Sequence, residues 1–332
     1  MGKVLPRKWA YALLAAGLSL AACTSQQETS PGPIAIHGNT QTFEIAPVFL
    51  AAEAFYPGPA TVKMGGIPNL VGDPIIPGFG EEGEADAATH AETQILRYSV
   101  RHPNLRVVLN VTEGLYRVVA RKSAGINSMA DLKGKRVATI PTTSSGYFLS
   151  RMLARDGLTF ADIEAVSITP LDRMPAALAA KEVDAVVIWE PYSELAHRAL
   201  DGDVIEFDGK GVYRELFNLN TTAENLADPA KRAKIVRFVR GIIDAAAAMR
   251  TDPARAQALV AERGGFALTD VEAAWKHHNF AATLPSDLLD VMVEEEKWLA
   301  ERDNRPARTR EQLATLIDDS VYKEALALKV AQ

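Results

Sequence analysis

Cysteine is nearly absent: Cys23 is the single one in 332 residues. One thiol can form no internal disulfide and supports no cysteine-rich metal site. A basic excess is lacking as well. With 36 Lys and Arg against 42 Asp and Glu, and a formal net charge of -6, the chain carries no electrostatic signature of nucleic-acid binding and no general attraction to an anionic membrane surface. What is present is a globular composition, 48% hydrophobic residues, and enough length for two domains.

The N-terminus is built differently from the rest. Lys3, Arg7 and Lys8 precede an apolar run at residues 9–22 that is too short for an ordinary membrane span, so residues 1–22 read as a secretory signal peptide. The run ends in Leu20, Ala21, Ala22 and Cys23, which resembles the bacterial lipoprotein box. Cys23 is then the expected site of lipidation, a palmitate-type acyl anchor, and residues 23–32, with the polar TSQQETSPG, form a tether.

The organising stretch is residues 131–151, DLKGKRVATIPTTSSGYFLSR: a turn, a short buried strand and a hydroxyl-rich loop opening a helix. Thr142, Thr143, Ser144 and Ser145 crowd the helix start. Unpaired N–H groups there can receive a polar ligand head, or a hydroxyl can simply cap the helix.

Strands are expected near Ile34, at residues 61–64, 105–111, 115–121, 163–169, 184–189, 204–207 and 215–220, with helices between many of them. An alternation of this kind predicts α/β architecture with largely parallel sheets. The segment 85–88 leads through Thr89 and His90, read as a polar turn, into a helix over 92–98. From Pro229 onward the pattern is helical, including one helix over 313–326.

Three tempting motifs fail on chemistry. Gly78, Gly80 and Gly83 spell a literal GxGxxG, but Glu81, Glu82 and Glu84 would repel a pyrophosphate, so residues 65–83 read as a surface loop or a flap over a cleft. His90 in HAE lacks the paired cysteines of a zinc deaminase. His277 and His278 lack a carboxylate at metal spacing, and no metal or cofactor is expected.

Taken in order, DLKGKRVAT, TTSSG, a helix, a strand and VDAVVIWEPY resemble the solute-binding proteins of the nitrate, sulfonate, taurine and thiamine-precursor import family, from about Ile34 to the C-terminus. The resemblance implies a two-lobed periplasmic-binding-protein type II fold, each lobe a mainly parallel sheet flanked by helices, with a helical C-terminal third. Lobe one would be 33–116 plus 213–332 and lobe two 117–212, with crossing strands near 115–121 and 214–220. It further implies a monomeric, lipid-anchored component of an ABC importer on the periplasmic or cell-surface side. Its partners would be a permease and an ATPase, with a small polar solute captured by hinge closure and no chemistry performed.

Carried over residue by residue, the ligand positions would be Asn39, Thr40 and Gln41 after the first strand, Thr89 and His90 at a helix start, Thr143, Ser144 and Ser145 at the facing helix start, and Trp189 with Glu190. Against those roles stand a Trp189 that is plain core and a Glu190 that is a carboxylate favoured by a helix dipole. Residues 65–83 depart from the family pattern, and a pocket Glu favours an amine-bearing or heterocyclic ligand over bare nitrate or sulfonate. The rival readings are an enzyme resembling the thiamine-pyrimidine synthase and a sensing lipoprotein coupled to a membrane receptor.

Overall fold

The structure is a computed structural model describing residues 1–2 and 31–328, and the fold lies within the unit Pro31–Gln332. Cys23 and nearly all of the expected signal peptide lie outside the described residues.

In chain order the strands are β1 (Ile34–Gly38), β2 (Ala60–Met64), β3 (Ala87–Ala91), β4 (Leu105–Gly114), β5 (Arg117–Arg121), β6 (Arg136–Ala138), β7 (Glu164–Val166), β8 (Ala185–Val187), β9 (Val204–Asp208), β10 (Glu215–Thr222) and β11 (His278–Asn279). They form two sheets. The first has the order β11-β4-β10-β3-β1-β2 and the second β7-β6-β8-β5-β9.

Each sheet is mixed. In the first, β1 runs parallel to β2 and β3, while β10 is antiparallel to β3 and β4. In the second, β6 runs parallel to β7 and β8, and β5 is antiparallel to β8 and β9. The antiparallel pairs arise where the chain passes between sheets: only Leu115 and Tyr116 separate β4 from β5, and residues 209–214 carry the chain back from β9 to β10.

The helices that matter for the site are α1 (Ala46–Leu50), α2 (Ile67–Val71), α3 (Glu92–Tyr98), α4 (Ser144–Arg155), α5 (Arg173–Ala179), α6 (Tyr192–Ala199), α7 (Ala223–Ala227), α8 (Pro229–Thr251), α9 (Ala254–Gly264), α10 (Leu268–Ala274) and α11 (Leu288–Arg302). The longest, α8, shows why these residues start a helix where they do: Asp228 accepts from the amides of Ala230 and Lys231, and Pro229 occupies a first-turn position that needs no N–H donor. Its Ile235, Phe238, Val239 and Ile242 are buried on the first sheet with Phe43, Val48 and Phe49. Side chains of this size each contribute roughly 1.5–3 kcal/mol when removed from water. The opposite face of the same sheet is covered by Leu288, Met292 and Leu299 of α11. The second sheet is likewise covered on both faces, by Phe148, Leu149 and Leu153 of α4 on one and by Met174, Leu178 and Ala196 of α5 and α6 on the other.

Several boundaries differ from the sequence expectation for physical reasons. Thr89 and His90 are not a turn at a helix start: β3 continues through both, and α3 begins only at Glu92. Residues 112–114 do not separate two strands, since β4 runs to Gly114 and pairs with Glu215 there. The helix expected over 313–326 is two helices, Arg310–Ala314 and Asp319–Ala327. Between them Ile317 bridges to Val107, so β4 pairs with residues a helix would have used.

Candidate functional site

Both sheets direct loops toward a cavity with about 1040 Å³ of empty space, open solvent at its mouth included. The first sheet supplies Asn39, Thr42, Glu44, His90 and Glu215, and the second supplies Ile140, Thr142, Thr143, Ser144 and Trp189. The segment read as a loop or flap contributes Ile75, Ile76 and Phe79. Phe79 also packs against the apolar cluster of the second sheet, so this segment spans the gap between the two halves.

The hydroxyl-rich loop is densely hydrogen-bonded. Thr143 stands at the N-cap position of α4, yet no side-chain hydrogen bond caps the helix. The hydroxyls bond elsewhere: Thr143 Oγ1 donates to the Ile140 carbonyl at 2.9 Å and lies 3.0 Å from Ser145 Oγ, which is also 3.2 Å from Thr139 Oγ1. Ser144 Oγ donates to Glu215 Oε1 at 2.9 Å and pairs with the Tyr116 hydroxyl at 3.0 Å. Gly146 is required beneath this loop, because a Cβ there would collide with the Pro141 carbonyl.

Hydrogen bonds tie the two halves around the cavity. Gln94 Nε2 and Arg97 Nη1, both on α3, donate to the Thr142 carbonyl at 3.3 and 3.2 Å, and the Arg302 guanidinium donates to the Pro141 carbonyl. On another side Arg198 of α6 pairs with Asp270 of α10.

Of the residues expected to touch ligand, Asn39, His90, Thr143, Ser144 and Trp189 line the cavity, and Thr40, Gln41, Thr89, Ser145 and Glu190 are not in its wall. The reasons are local. Strand alternation turns His90 inward and Thr89 away; Thr89 sits against Gly38, where a Cβ would strike its hydroxyl. Thr40 Oγ1 is spent on Met64 Sδ at 3.4 Å, and Gln41 is exposed. Ser145 is held in the loop's own hydroxyl network.

Glu190 belongs to an ion cluster around the buried Arg117 rather than to the cavity. Arg117 donates to Glu190, to Glu194 at 3.1 Å and to Glu206 at 2.8 Å, while Glu190 Oε2 accepts from the Glu194 amide at 2.9 Å. Burial pushes the Glu190 carboxyl up and the Arg117 charge pulls it back.

His90 is neutral at physiological pH, since burial and then the Arg97 charge lower its pKa to about 4. Its Nδ1 accepts from the Ile67 amide at 3.3 Å, which leaves the ring proton on Nε2. The ring stacks with Tyr98 at 6.3 Å between centroids. Trp189 is half-buried in the wall, and its indole Nε1 has no partner.

Sequence reasoning missed the two acids in the wall. Glu44 is 1% exposed and Glu215 4% exposed, and both face the cavity. Burial drives Glu44 up to about 7, with the Glu190 charge adding to it and backbone amides and the Glu215 contact opposing. Glu215 is raised well above the ordinary carboxylate range by burial and then by the charges of Glu44 and Glu92. A signal for Glu44 existed in the sequence, because an acid between Phe43 and Ile45 in an apolar run is costly unless it is used or neutralised. His278 Nε2 approaches Glu44 Oε1 to 3.6 Å. Among the described residues no cluster of three or more His, Cys, Asp or Glu is placed to hold a metal ion.

A two-sheet α/β body with a cavity between the sheets is a bilobal architecture, and known proteins share it. Residues 79–256 match the profile described as NMT1/THI5 like. The chain belongs to the NMT1/THI5-like family. A curated relative from Escherichia coli (strain K12), named as an aliphatic sulfonates-binding protein, is 33% identical over 153 residues, a stretch covering 45% of this chain and 45% of that protein. The match thus spans less than half the length of that relative.

Among solved structures, the alkanesulfonate-binding protein SsuA from Xanthomonas axonopodis pv. citri, bound to MOPS, superposes with a TM-score of 0.67 at 19% identity, covering 87% of this chain and 99% of its own. The periplasmic nitrate-binding protein NrtA from Synechocystis PCC 6803 gives 0.67 at 14% identity, with coverage of 92% and 90%. The desulfurization enzyme DSZB gives 0.60 at 15% identity, with coverage of 89% and 99%. At these identities the likeness establishes the fold.

Proposed function

We propose that this chain is the solute-capturing component of an ABC importer, closing two lobes over a small organic molecule and releasing it to a permease without altering it. The observation that carries the reading is the cavity walled by both sheets, with hydrogen bonds from α3 and α11 reaching across to residues 141 and 142 of the facing loop. The names borne by the sulfonate- and nitrate-binding relatives support it.

Lobe one comprises residues 33–116 and 213–332 and lobe two residues 117–212, so the hinge is the pair of short crossings beside Tyr116 and Tyr213. Rotation about two crossings can open and shut a cleft while each sheet stays rigid. Ion pairs such as Arg198–Asp270 form only where the lobes meet and select the shut form. With the proposed signal peptide and a lipidated Cys23, the protein works on the periplasmic or outer side of a bacterial membrane, tethered beside its permease and ATPase, as a monomer.

Binding rather than turnover is the function proposed. The test is a thermal-shift screen of the purified chain against amines, heterocycles, sulfonates and inorganic anions. A rise in melting temperature with at least one class is expected; no shift with any class, and no copurifying solute, contradicts the proposal.

A further inference from the structure

The cavity wall holds a pair of acids that the protein itself does not satisfy. Glu44, from the turn before α1, receives no well-formed hydrogen bond at either carboxyl oxygen, only the contact with the Glu215 carboxyl and the His278 ring at 3.6 Å, and Glu215, the first residue of β10, receives none at Oε2. Its other oxygen is fixed by Ser144 at 2.9 Å, and Ser144 is backed by Tyr116 at 3.0 Å. Buried acceptors left without donors are expensive, so a site that keeps them gains most from a ligand that brings donors. The one fixed cation in the wall among the described residues is Arg97, and its Nη1 is engaged by Gln94 Oε1 and the Thr142 carbonyl, both at 3.2 Å. The remainder of the wall is largely apolar, with Met64, Ile75, Ile76, Phe79, Trp189 and Phe217.

We infer that the cavity takes a small solute with an apolar or ring-like body and a nitrogen-centred N–H donor end, amine or amidine in class, held on the adjoining carboxyls of Glu44 and Glu215. The inference rests on the solute-binding reading and narrows it against the anionic ligands named for the relatives. A planar amidinium offers parallel N–H donors to carboxylate oxygens, the geometry that makes such pairs strong. Trp189 and Phe79 give faces for the ring, and a cation also gains from an indole face.

Proton exchange gives the sign of the ligand's charge. In the empty site the two acids cannot both ionise cheaply, and every group facing them matters: Glu190 and His278 toward Glu44, Glu92, Glu295 and Tyr213 toward Glu215, and Tyr116 and Ser144 at the Glu215 carboxyl. His278 is neutral, with its pKa lowered to about 4 mainly by burial, so it adds no charge. A cationic ligand ionises the pair and expels a proton. An anion needs the acids protonated and takes one up.

The test uses two probes of one shape, benzamidine and benzenesulfonate, titrated calorimetrically into the full chain in detergent between pH 5.5 and 8. Benzamidine is expected to bind, its affinity rising about tenfold per pH unit up to roughly pH 7 and then levelling, as one-proton linkage requires. Glu44→Gln should weaken it at least tenfold and flatten the slope, with the melting transition retained as the check on folding. Benzenesulfonate binding more tightly, with affinity rising as pH falls, overturns the inference and leaves solute capture standing. Benzamidine affinity indifferent to both Glu44→Gln and Glu215→Gln overturns it as well. A folded chain that binds neither probe, nor any member of the wider screen, overturns the solute-binding reading beneath it.

Discussion

Two groups of acids lie close together in this molecule and have opposite fates. Around Arg117, the carboxyls of Glu190, Glu194 and Glu206 converge on one guanidinium that is itself 3% exposed. Around the cavity, Glu44 and Glu215 adjoin each other with no arginine between them, and three of their four oxygens receive no well-formed hydrogen bond. The difference separates structure from function. Acids that fold against a cation hold β5, β9 and α6 together, whereas acids left without one are poised to receive something from outside.

The sharpest way to break the comparison is to remove the cation. Arg117→Ala leaves the buried Glu190 carboxyl without its cation, while Glu194 keeps Arg198 and the exposed Glu206 keeps His197, and should cost about 3–5 kcal/mol of stability, the usual penalty for breaking a buried charge pair from one side. Denaturant unfolding checks this. A loss near zero would mean the cluster is neutralised by other means.

Glu44→Gln should move the other way in the empty protein. The Glu44 pKa is raised from 4.5 to about 7, so the native carboxyl resists ionising while the unfolded one does not. Its cost is absent below the unfolded value, grows as pH rises through about 7, and is complete above it. The variant should therefore gain roughly 3 kcal/mol over the parent at pH 8 and nothing at pH 4. Melting curves at the two pH values decide it.

Smaller effects sharpen the picture at the wall. Phe79→Ala removes a ring that meets both the ligand space and the second sheet, and should weaken ligand affinity by about 1–2 kcal/mol with little change in m-value. Ser144→Ala frees Glu215 Oε1 and the Tyr116 hydroxyl together, and should lower stability by about 1 kcal/mol while also raising the apparent pH of ligand capture. If Ser144→Ala altered affinity alone, the hydroxyl would be a ligand contact and not a brace.

Much of this arrangement can be read from residue order. Compact apolar runs mark β6 and β8, the Ile34 segment marks β1, and the hydroxyl-rich start of α4 does stand in the cavity wall. Pairing partners cannot be read so directly. Thr89 and His90 look like a turn because they are polar, yet pairing with Leu219 and Asn218 of β10 holds them extended. Glu190 looks available because it follows a buried strand beside Trp189, and only the fold reveals that Arg117, 73 positions away in sequence, claims it. The segment 65–83 has no periodicity to follow, and its part in the wall comes from Ile75, Ile76 and Phe79 reaching across a gap that exists only once both sheets are in place.

The contrast between satisfied and unsatisfied acids is tested most directly by what the protein carries when purified without denaturation. Native mass spectrometry of the chain, followed by identification of the released solute, should find one small molecule bearing a protonated or N–H-donating nitrogen, lost on Glu44→Gln. Recovery of a bare sulfonate or nitrate, retained by that variant, would contradict the account.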